Sequence, residues 1–175
     1  AGVIKMGKRF PLFLGLSLES HKEKMTWLQK RLVLDDKSLS KLVKKLPSVL
    51  GLSIENNLEP KLAWLKERLS LDDKNLSELV QKQPPLLGCN IATNLEPTIK
   101  FFEDCVGSKS AIQCIAKNPS ILTYSLEKRL KPRLVECQEA GISIDTGTIQ
   151  RIAMYTELQW SNSMIFQKKQ LLLKE

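Results

Sequence analysis

The chain predicts an all-α solenoid of about four stacked repeats, each made of two α-helices and a short 3-10 turn. Three observations predict it. The block Pro11-Leu-Phe-Leu-Gly15 returns as Pro47-Ser-Val-Leu-Gly51 and Pro84-Pro-Leu-Leu-Gly88, with a weaker copy at Pro119-Ser-Ile-Leu-Thr123, at intervals of 36, 37 and 35 residues. A fixed period of this length marks stacked supersecondary units. The stretches between the prolines also match: Trp27 to Val43 reads WLQKRLVLDDKSLSKLV, and Trp64 to Val80 reads WLKERLSLDDKNLSELV. Within each copy, apolar residues recur at spacings of three and four, the period of a helix with one buried face.

The repeats divide as 11–46, 47–83, 84–118 and 119–156, in one domain over residues 1–175. Gly7-Lys-Arg-Phe-Pro11 aligns with Lys44-Lys-Leu-Pro47, so residues 1–10 read as the end of a preceding helix, and a start at Ala1 suggests a piece of something longer. In the second copy Asn57 is the expected N-cap. Leu58, Leu62, Leu65 and Leu69 form one stripe, and Pro60 sits in the first turn where no intrahelical N–H is lost. Leu71-Asp72-Asp73 closes that helix and opens the next, with an aspartate as cap. Leu76, Leu79 and Val80 form the second stripe, and Pro84 stops it. The first copy has Glu23 in place of Pro60. The third has Phe101 in place of tryptophan, and a junction Cys105-Val-Gly-Ser108 that reads as glycine C-cap and serine N-cap. In the fourth, Gly141 and Asp145 open a helix over 146–155. Trp160, Met164, Ile165, Phe166 and Leu171 to Leu173 then predict a capping helix within 157–175. Trp27 and Trp64 are expected in the core between repeats.

Composition bounds the chemistry. Of 175 residues 42% are apolar, yet no stretch approaches the roughly 18 consecutive apolar residues of a membrane helix, so no membrane partner is expected. The net charge of +8 favours a polyanion. Cys89, Cys105, Cys114 and Cys137 form no C-x-x-C pair and have only His21 to join them, which disfavours zinc and suits a reducing compartment. The pairs Asp35-Asp36 and Asp72-Asp73 recur where an N-cap is needed, so they read as structural. With no phosphate-binding glycine loop and no H-E-x-x-H, the chain is expected to be neither an enzyme nor a cofactor carrier.

Leu42-Val-Lys-Lys-Leu-Pro47-Ser-Val-Leu50, Leu79-Val-Gln-Lys-Gln-Pro84-Pro-Leu-Leu87 and Ile115-Ala-Lys-Asn-Pro119-Ser-Ile-Leu122, joined by Asn57-Leu-Glu-Pro-Lys-Leu62 and Asn94-Leu-Glu-Pro-Thr-Ile99, resemble the mitochondrial transcription termination factor (mTERF) family. The resemblance implies stacked helix pairs in a left-handed superhelix with a basic concave groove. It also implies a mitochondrial or plastid location and a role in organellar transcription or RNA processing.

The residues themselves supply candidate contacts. A base stands two residues before each repeat proline: Arg9, Lys45, Lys82 and Lys117. Stacked at roughly 10 Å per helix layer, they would span about 30 Å. Cations at helix C-termini also compensate the helix dipole, which is a compatible role. Arg31 and Arg68 form a second set that recurs only twice, for which pairing with nearby acids on a solvated face is the other reading. Lys128, Arg129, Lys131 and Arg133 crowd a helix start where cations are unfavourable, so they read as polyanion contacts, with Arg151, Lys168 and Lys169 as possible extensions. The expected partner is double-stranded DNA or structured RNA, gripped by a monomer. The alternative is a non-catalytic scaffold docked on an organellar ribosome or other large complex, with a protein partner.

Overall fold

The computed structural model describes residues 18–172. Residues 1–10, the Pro11 block and Arg9 lie outside the described residues. Helices and turns account for the described chain, with no strand among its residues. They fall into two compact units that divide between Cys89 and Asn90.

Unit one holds α1 (Leu18–Arg31), α2 (Asp36–Lys45), α3 (Glu59–Arg68) and α4 (Asp73–Lys82), with 3-10 turns at Pro47–Gly51 and Pro84–Gly88. Each proline acts on the residue before it. Leu46 and Gln83 leave the helical region at φ −133° with ψ of 76° and 73°, because the proline ring crowds the preceding residue out of the α conformation. The turn that follows buries Val49 and Leu50 in one copy and Leu86 and Leu87 in the next. These turns pack on each other, and the later one also packs on α2.

Helices α3, α5 (Glu96–Val106) and α7 (Lys131–Glu139) begin differently from the sequence expectation. Each is entered through one π-helical turn, Ile54–Leu58, Ile91–Leu95 or Leu126–Leu130. The caps are therefore Ser53, Asn90 and Ser125, whose side chains accept from the backbone N–H three residues on. Asn57 lies inside the turn and is not the cap. Bonds spanning five residues, such as Leu58 N–H to Ser53 O at 2.9 Å, define the turn. Proline explains it. Pro60, Pro97 and Pro132 have no N–H for the carbonyl four residues back, and their rings would crowd it. Widening the preceding turn relieves that clash. The first repeat is the internal control: Glu23 replaces the proline, and α1 is α-helical from Leu18 to Arg31.

Unit two continues with α5, then α6 (Ser108–Lys117), the 3-10 turn Pro119–Thr123, α7, α8 (Thr146–Met154) and α9 (Glu157–Leu172). Gly107, at φ 78°, closes α5 and opens α6 at once, so the expected Ser108 cap is absent: Ser108 is already the first helical residue and makes no capping bond. Trp160 and Met164 seat α9 in the core, whereas Ile165 and Phe166 of the same predicted cap face outward. Trp27, Trp64 and Phe101 are only half-buried. The fully buried positions are their neighbours Leu28, Leu65 and Phe102, about 100° further round the helix.

The ends of α1, α3 and α7 share one motif. Leu34 N–H reaches Gln29 O at 2.9 Å, Leu71 reaches Lys66 at 2.8 Å and Ile142 reaches Cys137 at 2.9 Å, each around one left-handed residue. That residue is Val33 (φ 50°), Ser70 (φ 51°) or Gly141 (φ 68°). Glycine is at ease there, and a β-branched side chain is not. Val33 is 84% exposed and gains no packing in return. Val33→Gly should therefore raise stability by about 0.5–1 kcal/mol, measured as a higher urea midpoint at unchanged slope.

Candidate nucleic-acid interface

Among the described residues, the bases predicted from the repeat register occupy equivalent places. Lys45, Lys82 and Lys117 are the last residues of α2, α4 and α6. All three are exposed. Among the described residues none of their ammonium groups has an ion-pair or hydrogen-bond partner. Bonding to the last carbonyls of the helix, the local alternative for a C-terminal lysine, is thus not made. Lys128, Lys168 and Lys169 are exposed in the same way.

The arginines among the described residues are occupied within the fold. Arg31 Nε donates to both carboxylate oxygens of Glu59 at 3.0 and 2.9 Å, and its Nη1 lies 3.6 Å from Asp73. That fork ties the first repeat to the second. Arg68 is engaged as well. Arg129 stacks on the Tyr124 ring at 3.9 Å and donates to Tyr155 O at 2.7 Å. Arg133 is buried at 4% exposure, donates to Ile152 O, Tyr155 O and Glu157, and lies over the Trp160 ring at 5.0 Å. Arg129 and Arg133 thereby cap the carbonyl end of α8, a role the sequence reading did not anticipate. Lys131 pairs with Glu127 one turn earlier, and Arg151 donates to Thr148 Oγ1 at 2.7 Å.

A second cation position escaped the sequence reading. Lys24 Nζ donates to Leu50 O at 2.9 Å, and buried Lys61 donates to Leu87 O and to Asn57 Oδ1 at 3.0 Å. In both, a lysine on the first helix of one repeat binds a carbonyl of the next repeat's 3-10 turn. Burial pushes the Lys61 pKa down from 10.5. A signal was present: Lys24, Lys61 and Arg133 each follow the proline position, filled by Glu23, Pro60 and Pro132.

The acidic pairs have structural work at both members. Asp35 and Asp72 accept from the backbone N–H groups of Ser38 and Asn75 at 2.7 Å, as Asp145 does from Thr148. Asp36 and Asp73 accept from Gln29 and Lys66, both at 2.8 Å, linking the end of the preceding helix to the start of the next. No cluster of His, Cys, Asp or Glu among the described residues could hold a metal ion. His21 is buried in α1. Cys114 and Cys137 are buried, Cys89 and Cys105 half-buried, and all four are free thiols. Burial raises the pKa of Cys89, Cys105 and Cys137 and lowers their reactivity.

Hydrogen bonds from Ser38, side chain first, hold the Asp35 carboxyl below 3.8, and those from the Thr148 backbone and hydroxyl do the same for Asp145. A folded pKa below the unfolded one gives stability that is present above pH 3.8 and lost as the pH falls through the folded value. Thermal midpoints from about pH 5 to about pH 2 should fall below pH 3.8, and fall less in Asp35→Asn/Asp145→Asn, whose caps do not titrate.

No helix of the described residues is long and apolar enough to cross a membrane. No characterised protein matches the sequence significantly. The family model named mTERF matches residues 1–164. With the repeated helix pairs, their 3-10 turns and the basic surface in place, the chain belongs to the mTERF family, whose members are organellar, generally non-enzymatic nucleic-acid-binding proteins built from helical repeats.

Proposed function

We propose that this chain regulates organellar gene expression, in transcription termination or RNA processing, by gripping double-stranded DNA or structured RNA through its phosphates. The observation that carries the reading is the exposed, unpartnered lysine closing the second helix of three successive repeats, at Lys45, Lys82 and Lys117. Free ammonium groups displace condensed counterions from a nucleic acid, whereas groups already paired inside the fold contribute little. The arginine candidates Arg31, Arg129 and Arg133 accordingly act by holding the repeats in place. In the sequence, Arg9 stands at the same interval before Pro11. Grip of this kind positions the protein and is mostly blind to base sequence.

Fluorescence anisotropy against duplex DNA, single-stranded DNA and a structured RNA at several salt concentrations tests it. Four phosphate contacts give a log–log salt slope near −3.6 on duplex DNA, about 0.9 for each. Lys45→Ala/Lys82→Ala should flatten that slope by about 1.8 without lowering the thermal midpoint. An unchanged slope, or no binding to any probe at low salt, would overturn the proposal.

A further inference from the structure

Helix α9 has two faces of opposite character. Trp160 and Met164, 5% and 3% exposed, seat it on unit two, and Trp160 Nε1 donates to Glu136 Oε2 at 2.7 Å. On the other face Leu158, Ile165 and Phe166 are 72%, 56% and 63% exposed. At about 100° per residue, Leu158, Ile165 and Lys169 lie within about 20° of one line along the helix, with Phe166 about 80° from Leu158. No described residue covers them. Elsewhere the large exposed apolar side chains Met25, Val33, Val135 and Met154 stand singly on separate elements, and scattered residues of that kind are ordinary. Three on one face of a single helix are a patch.

The charges around the patch specify its occupant. Lys168 and Lys169 are exposed, and neither has a carboxylate partner among the described residues. Glu157, the only acidic residue of α9, already accepts from Arg133 Nη2 at 2.6 Å. The open face therefore offers apolar surface and two free cations. From this complementarity we infer that the outer face of α9 docks an acidic amphipathic helix of a partner protein. Its apolar residues, at spacings of three and four, cover Leu158, Ile165 and Phe166, and its carboxylates meet Lys168 and Lys169.

Other occupants fit less well. A second copy would bring the same two lysines and no free carboxylate of its own α9, on a chain of net charge +8. A lipid surface favours an uninterrupted apolar face with cations at its edges. Here Lys169 and Asn162 stand within the stripe, where a partner with directional polar groups can satisfy them. A nucleic acid would use the lysines but leave Leu158 and Ile165 in water.

The test places a photo-reactive group on the patch, as Phe166→p-benzoylphenylalanine, in the full chain expressed in its own cells. After irradiation, the adduct is mapped to a peptide by mass spectrometry. The expected adduct lies on another protein, in a segment of net negative charge with helically spaced apolar residues. Its yield should fall about tenfold in Lys168→Glu/Lys169→Glu and again in Ile165→Gln, with the thermal midpoint unchanged, since none of these side chains packs inside the fold. An adduct to RNA, to lipid, to a second copy, to another segment of the same chain or to a non-acidic segment would overturn the inference. So would a yield no higher than that of the same group at exposed Lys109 on α6. Nucleic-acid affinity, read separately by anisotropy, does not enter either outcome.

Discussion

The proline ring, which crowds the backbone before it and carries no N–H, sets the layout of the described repeats. One set of prolines, Pro47, Pro84 and Pro119, ends the second helix by forcing the preceding residue to φ −133°. The chain then makes a 3-10 turn, whose two apolar residues enter the core. The other set, Pro60, Pro97 and Pro132, stands near the start of the first helix and obliges the chain to widen into a π turn. Both sets act locally: one fixes where α2, α4 and α6 end, the other how α3, α5 and α7 begin. Where the second kind is replaced by Glu23, the π turn is absent and the helix is regular.

A 3-10 turn leaves carbonyls without helical partners, and the fold answers with cations. Lys24 and Lys61 reach from one repeat to the turn of the next, and Arg129 and Arg133 of unit two reach the end of α8. A charge-assisted bond to a carbonyl is stronger than a neutral one, which offsets part of the cost of burying Lys61. The Arg31–Glu59 fork adds a second tie between consecutive repeats. Stability in such arrays is a sum of repeat and nearest-neighbour interface contributions. These cations belong to the interface contribution.

On the proposed function, bases of one sign divide the labour. Cations with carbonyl or carboxylate partners maintain the stacking of helices, and cations at the ends of the second helices remain available to an external anion. Net charge alone does not separate the two classes. The same reasoning applies to α9, where one acidic residue is consumed by Arg133 and two lysines are left beside an uncovered apolar stripe.

Much of this was legible in the residues. The period, the helix pairs, the aspartate caps at residues 35, 72 and 145 and the 3-10 turns all follow from local rules, because each depends on neighbours within a few positions. The equivalence of Lys45, Lys82 and Lys117 was equally plain, since register is a property of sequence. Tertiary structure decided which bases stay free. Arg133 and Lys128 look alike in a run of cations, but one is buried against Ile152 and Tyr155, about twenty residues on, and the other is exposed. It also decided which residue of each pair Trp27-Leu28, Trp64-Leu65 and Phe101-Phe102 is buried, by choosing the face each helix turns inward. Hydrophobicity says that a side chain prefers to be covered. Only the packed neighbour decides whether it is.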